Sequence, residues 1–168
     1  ALLAARHAEH VIATDVNQRA LAFARFNLAL NRISNVELRQ GSFLEPVVGE
    51  RFDLVVANPP YVISPESSFA FRDGGLGRDR VSELVVRGVP ALLEDGGHAT
   101  VMASWVQGDD DPQARPREWL ADSGCDAWLL HTGTDDALSA AAGWNRTAAS
   151  QAERAEQALR EWQTDAHP

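Results

Sequence analysis

Positive charge is scarce in this sequence. Its 15 lysine and arginine side chains stand against 24 aspartates and glutamates, a formal net charge of −9. That balance excludes loose electrostatic attraction to nucleic acid as the main binding mode, though it leaves room for a local basic patch. Cysteine is nearly missing. Cys125 stands alone, so no disulfide can form within the chain, and a cytoplasmic protein is expected. The five histidines (His7, His10, His98, His131, His167) show no metal-ligand spacing with Cys125 or with one another, and no metal site is expected. No apolar run reaches the roughly 18 residues that a membrane helix needs. Residues 1–10 include Arg6, His7, Glu9 and His10 and lack the apolar stretch of a secretory signal. No internal repeat is visible, and the run Asp109-Asp110-Asp111 reads as a solvated loop. The only methionine is Met102, and residues 1–7 read as the tail of an amphipathic helix without a start signal. The chain is therefore expected to be an N-terminally truncated part of a larger fold.

What is present is an ordinary globular composition: 168 residues, 45% hydrophobic and 23% charged, enough for one domain with a core. Val11-Ile12-Ala13-Thr14 is a short apolar run closed by Asp15, as in a buried parallel strand. Asn17 is placed to cap a helix over residues 18–30, with Leu21, Phe23, Ala24 and Leu28 expected on its inward face. Residues 36–40 alternate apolar and polar as a half-buried strand. A loop over residues 41–46 follows, then a buried strand over residues 52–57. Residues 62–77, rich in proline, serine and glycine, read as a long functional loop. Arg72 in that loop, and Arg78 and Arg80 just after it, are placed either to contact substrate or to pair with Asp73, Asp79 and Glu83. A helix is expected over residues 79–93, with Val81, Leu84, Val85 and Val89 inward and Pro90 interrupting it. A turn at Asp95-Gly96-Gly97 leads to a strand over residues 98–104, followed by Trp105, expected to pack. A short helix over 113–122, a strand over 127–131 and two helical pieces over 136–142 and 150–163 complete the reading. Strands alternating with helices imply an α/β fold, a doubly wound, mostly parallel sheet whose ligands bind beyond the carboxyl ends of the strands. Three residues stand at such ends: Asp15, Ser42 and Asn58.

Asp15 is placed either to accept hydrogen bonds from ribose hydroxyls or to cap the following helix, and the ribose could belong to a nicotinamide or an adenosyl cofactor. Ser42 and Phe43 suit the edge and face of an adenine ring, but on their own they read better as a loop serine and a core phenylalanine. Asn58-Pro59-Pro60-Tyr61 is far more specific. Neither proline can extend the sheet, because neither has an N–H. Asn58, preceding a proline, is restricted to extended backbone. Its side-chain oxygen and the Pro59 carbonyl can then accept both hydrogens of one planar NH2 group, while Tyr61 offers a face for stacking. An amide or aromatic amine is a poor nucleophile because its lone pair is delocalised, and orienting it against an activated methyl donor is a physical remedy.

With these residues the chain resembles class I S-adenosylmethionine-dependent methyltransferases that carry an Asn-Pro-Pro-Tyr motif, a group similar to release-factor glutamine and N6-adenine enzymes. The resemblance runs over residues 1–131. It rests on Ala13-Thr14-Asp15, on residues 20–31, on Gly41-Ser42-Phe43-Leu44-Glu45-Pro46 and on Asn58-Pro59-Pro60-Tyr61. It implies a Rossmann-like partial methyltransferase domain, lacking its first strand and its last, with a core over residues 1–131 and a helical extension over 132–168. It implies S-adenosyl-L-methionine as cofactor, with Asp15 on the ribose, Ser42 and Phe43 about the adenine, and Asn58 against both cofactor and substrate. Asn58, Pro59, Pro60 and Tyr61 would form the catalytic corner that holds the target nitrogen. The substrate implied is a protein glutamine amide or an exocyclic amine of a nucleic-acid base.

Two departures stand out. The glycine-rich loop that follows the family's first strand is absent, so weak cofactor binding is expected of residues 1–168 by themselves. A serine stands at position 42 where the family commonly has an acid, and a neutral hydroxyl is the weaker acceptor for an adenine amino group. Two other readings share the architecture: a non-catalytic methyltransferase-like scaffold, and a nicotinamide-dependent oxidoreductase, in which the Asn58 corner has no role.

Overall fold

The computed structural model describes residues 1–63, 79–108 and 111–136. Two compact units are distinguished, Ala1–Asp126 and Ala127–Pro168.

The first unit is built from two β-α-β passes. Strand β1 (Val11–Asp15) runs into helix α1 (Gln18–Leu30) and returns as β2 (Val36–Gln40), parallel to β1 and in register from Val11 opposite Val36 to Asp15 opposite Gln40. Strand β3 (Phe52–Ala57) leads, through residues 64–78, to helix α2 (Arg80–Gly88), a 3-10 turn at Val89–Leu92 and strand β4 (Leu93–Val101), again parallel. Helix α3 (Ala114–Leu120) follows. This is the expected mixed α/β, Rossmann-like architecture with parallel pairing. The sheet is divided: β1–β2 and β3–β4 are separate two-stranded sheets. Among the described residues, each of the four strands is paired on one side only.

Local chemistry explains the elements. The Asn17 side chain caps α1, its Oδ1 accepting the N–H of Arg19 at 2.9 Å. Helix α1 buries Leu21 and Leu28, seven residues and nearly two full turns apart on one face. Phe23, expected on that face, is 57% exposed. Two residues from Leu21 is about 200° around a helix, so the ring projects away from the sheet, where Arg19 lies over it at 5.7 Å. Residues 1–7 hold a single 3-10 turn, Ala4–Arg6, with no buried side chain, rather than the end of an amphipathic helix.

In α2, Val81 and Val85 are inward as expected, and Val89 is buried in the turn that follows; Leu84 is 41% exposed. Pro90 ends the α-helix by opening the 3-10 turn, because it has no N–H for the next helical bond. The expected turn at Asp95-Gly96-Gly97 lies inside β4 as an irregularity in register: Phe52 pairs with Leu93, but Leu54 pairs with His98. Gly96 has φ +77°, and a Cβ on Gly97 would stand 2.8 Å from the Glu94 carbonyl oxygen, so both positions require glycine. The strand then ends at Val101, three residues earlier than expected.

Strand β3 is not buried as its apolar sequence suggested. Leu54 and Val56, on one face of the strand, are 59% and 72% exposed. The core is concentrated instead around α2, the 3-10 turn and α3, where Val85, Val89, Leu92 and Trp119 are buried.

In the second unit, residues 127–131 carry no strand pairing, and Trp128 and Leu130 are exposed. An apolar run alone makes no strand without a neighbouring ladder for its N–H groups. The helical pieces expected beyond residue 136 lie outside the described residues. Among the described residues, no helix is long and apolar enough to cross a membrane.

Candidate methyl-transfer site

Asp15 is the last residue of β1 and is exposed. Its Oδ1 accepts the backbone N–H of Asn17 at 2.7 Å, a tight local turn that aims the chain into α1. Its other oxygen has no partner among the described residues. One oxygen shapes the helix entry, which is the local role the sequence suggested. Gly41 N–H donates to the Asp15 carbonyl at 3.2 Å, which brings Ser42 and Phe43 to the same sheet end.

The turn after β2 is held firmly. Ser42 N–H donates to Glu45 Oε2 at 3.3 Å, while the Ser42 carbonyl accepts from Glu45 N–H at 3.0 Å. Phe43 sits at φ +48°, a left-handed conformation uncommon for an aromatic residue. Behind the turn, Arg39 on β2 donates to the Pro46 carbonyl at 3.0 Å and pairs with Glu37 at 2.7 Å and with Glu50. The hydrogen bond from Arg39 holds the Glu37 carboxyl below the usual carboxylate range, opposed in part by desolvation. Arg39 and Glu50 thereby tie the stretch that carries Ser42 and Phe43 to the sheet.

Asn58 directly follows β3. Its side chain is exposed and makes no hydrogen bond among the described residues, while Pro59, Pro60 and Tyr61 are half-buried. The Pro59 carbonyl is not wholly free, as the sequence suggested: it accepts Tyr61 N–H at 2.8 Å. Beside the corner, Met102 N–H donates to the Ala57 carbonyl at 3.0 Å, so β4 leaves the sheet at the level of Asn58. Asp15, Ser42 and Phe43 thus gather at the carboxyl end of one sheet, and Asn58, Pro59, Pro60 and Tyr61 at the carboxyl end of the other. No hydrogen bond between described residues links the two groups.

Beside the corner the structure gives two residues a role that the sequence did not assign: Asp79, at the N-cap of α2, and Ser82 on α2 hold the segment after β4, and Arg115 on α3 pairs with Asp79. Asp79 pairs with Arg115 and Glu83 with Arg87, and neither pairs with Arg80; Arg72, Asp73 and Arg78 lie outside the described residues. An aspartate ahead of a helix reads simply as a cap, so nothing local announced this contact. Trp105 is half-buried and donates from Nε1 to the Pro112 carbonyl at 2.6 Å. A shallow depression of about 360 Å³ beside Arg87, Pro90, Trp119 and Asp122 shares no residue with either group.

Comparison with known proteins identifies the family. The methyltransferase small domain family matches residues 1–108, and the chain belongs to that family of class I S-adenosylmethionine-dependent methyltransferases. The chain is 34% identical over 119 residues to the release factor glutamine methyltransferase of Xylella fastidiosa strain 9a5c, covering 64% of this chain and 43% of that protein. It is 38% identical over 120 residues to the protein of the same name from Cereibacter sphaeroides, covering 64% and 42%. It is also 41% identical over 51 residues to the ribosomal protein L11 methyltransferase of Lactobacillus johnsonii, covering 30% of this chain and 16% of that protein. The chain therefore spans less than half the length of the release-factor enzymes it matches.

Proposed function

We propose that the protein is an S-adenosylmethionine-dependent N-methyltransferase whose acceptor is the side-chain amide of a protein glutamine, with a peptide release factor as the substrate. The observation that carries this reading is the Asn58 corner. A side-chain amide bonded to no described residue stands at the end of a parallel strand, next to the Pro59 carbonyl between two prolines. Planar amines are common to glutamine and to nucleic-acid bases. The net charge of −9 and the names of the relatives favour the protein substrate.

The donor atoms suit the cofactor. Asp15 keeps a carboxylate oxygen for ribose hydroxyls, and the Ser42 hydroxyl is engaged with no described residue. Phe43 is half-buried at the same sheet end. When bound, the cofactor supplies a methyl group on a positively charged sulfur, which leaves as a thioether once the methyl is taken. The protein's part is positional. Asn58 Oδ1 and the Pro59 carbonyl accept the two amide hydrogens and aim the nitrogen lone pair at the methyl carbon. Tyr61 stacks on the amide plane. With the cofactor held there, the nitrogen would bond to the methyl carbon as the carbon–sulfur bond breaks, and would then lose one proton to water. No covalent protein intermediate is needed.

The test is labelled methyl transfer from S-adenosylmethionine by the full-length protein to the purified release factors of its own organism. Label on a release-factor glutamine is the expected result. Label appearing only in ribosomal protein, or only in nuclease-sensitive material, would replace this substrate with that one.

A further inference from the structure

Asp79 occupies the N-cap position of α2, where an aspartate ordinarily turns its carboxylate onto the first free N–H groups of the helix. Here it makes no such bond. The residue is buried, 3% exposed, and both oxygens reach to other elements. Oδ2 accepts Val106 N–H at 3.1 Å, and Oδ1 accepts from Arg115 Nη2 at 2.9 Å. Arg115 Nε also lies 2.6 Å from Oδ2, but without hydrogen-bond geometry, so that approach is a charge contact only. Three residues on, Ser82 is wholly buried, and its Oγ accepts Ser104 N–H at 3.0 Å. The preceding N–H of the series, that of Met102, goes to the Ala57 carbonyl.

The N–H groups of residues 102, 104 and 106 are alternate ones, which an extended chain presents to one side. Their acceptors are the last carbonyl of β3 and then two side chains of α2. After the sheet ends, Ser82 and Asp79 continue its ladder in side-chain form. Burying a carboxylate is costly, and an apolar side chain would satisfy packing at lower cost. The helix also forgoes its cap. What the arrangement secures is the course of one segment, and that segment leaves the sheet beside Asn58.

We propose that Asp79 and Ser82 are positioning residues for the methyl acceptor: they hold residues 102–106 as a fixed wall beside the Asn58 corner, with Arg115 neutralising the Asp79 charge. This assignment rests on the amino-methyltransferase reading above. The test compares Ser82→Ala, Asp79→Ala and Asp79→Asn in the full-length protein, with labelled S-adenosylmethionine and release factor as the two substrates. The KM for each substrate, kcat and the amide exchange of Ser104 and Val106 are read together. Ser82→Ala and Asp79→Ala are expected to raise the release-factor KM about tenfold and to change the methyl-donor KM less than about twofold. Exchange should quicken at Ser104 in the first variant and at Val106 in the second. Asp79→Asn keeps an oxygen for Val106 N–H and should restore most of the release-factor KM. An unchanged release-factor KM in folded Ser82→Ala, or an equal rise in both KM values, overturns the proposal. If the wild-type protein itself leaves release factor unlabelled, the substrate reading has failed instead. In that case unaltered exchange at residues 104 and 106 in the variants would overturn the wall as well.

Discussion

The backbone N–H of Tyr61 donates to the Pro59 carbonyl at 2.8 Å, closing a three-residue turn over Pro60. Proline restricts φ to about −65°, close to the value such a turn requires, so Pro60 enters it at little entropic cost. A carbonyl oxygen has two lone pairs. One is spent inside the motif; in the proposed reaction the other would meet the acceptor amine together with the Asn58 side chain, a two-acceptor fork whose backbone half is held by the motif itself.

Asn58 carries the movable half of that fork. Asn58→Ala should lower kcat for methyl transfer about a hundredfold, because the amine loses one of the two contacts that orient it. The melting temperature should scarcely move, since the side chain is exposed and bonded to no described residue. Labelled transfer by the full-length variant measures the first effect and calorimetry the second. A variant with the wild-type rate would remove Asn58 from the chemistry.

Asp15 allows cofactor contact to be separated from folding. Asp15→Asn retains an oxygen for Asn17 N–H, so α1 should still form. The charge offered to the ribose hydroxyls is lost, and hydrogen bonds to charged groups contribute about 1.5–3 kcal/mol. Titration calorimetry with S-adenosylmethionine should give a Kd about tenfold or more above that of the unaltered full-length protein. Equal affinity would leave Asp15 only its role at the helix entry.

The Glu37–Arg39–Glu50 cluster predicts a pH dependence. The Glu37 carboxyl is lowered in the folded protein, chiefly by its hydrogen bond from Arg39. Its contribution to stability is therefore complete above the ordinary glutamate value of 4.5 and is lost as pH falls through the lowered folded value. Both Glu37 and Arg39 are in contact with solvent, so the effect should be small and should shrink in high salt. Urea midpoints of wild type and Arg39→Met should differ at pH 6 and draw together as pH falls below 4.5. A difference that persists undiminished at low pH would assign the role of Arg39 to packing.

Residues 1–168 by themselves should bind the cofactor weakly. Strands β1 and β3 are each paired on one side only, and Leu54 and Val56 stand exposed. The two halves of the site belong to sheets that no ladder joins. Calorimetry on this stretch and on the full-length protein makes the comparison. Equally tight S-adenosylmethionine binding by the 168 residues would show that the two sheets need no further strand to assemble the site.

Gly97 tests the irregular pairing of β4. A methyl group there would meet two backbone oxygens, of Glu94 at 2.8 Å and of Phe52 at 3.0 Å, which cannot turn aside as a side chain would. Gly97→Ala should cost about 1–3 kcal/mol of stability, read as a lower urea midpoint. No loss would mean that the β4 backbone is free to shift.

Some elements were fully legible from neighbouring residues. Asn17 and the leucine spacing marked α1 over the residues it occupies. Residues 36–40 and 52–57 announced β2 and β3 because period and punctuation are local properties. Asn58-Pro59-Pro60-Tyr61 announced a corner because the prolines limit their own backbone. Phe23 and the interior of β3 were misjudged for one reason: an apolar side chain is buried only if something lies over it, and that depends on distant parts of the chain. The same holds for residues 127–131, apolar but unpaired.

The sequence by itself determined the order of parallel units, the residues at each strand end and the chemistry of the Asn58 fork. These follow from dihedral limits, periodicity and functional groups that each residue brings with it. Only the tertiary structure decided that the sheet divides between β2 and β3, that Pro59 spends one lone pair on Tyr61, and that Asp79 abandons its helix to hold Val106. Each of these is a competition for hydrogen-bond partners between groups that meet only in three dimensions, and no local pattern ranks the competitors.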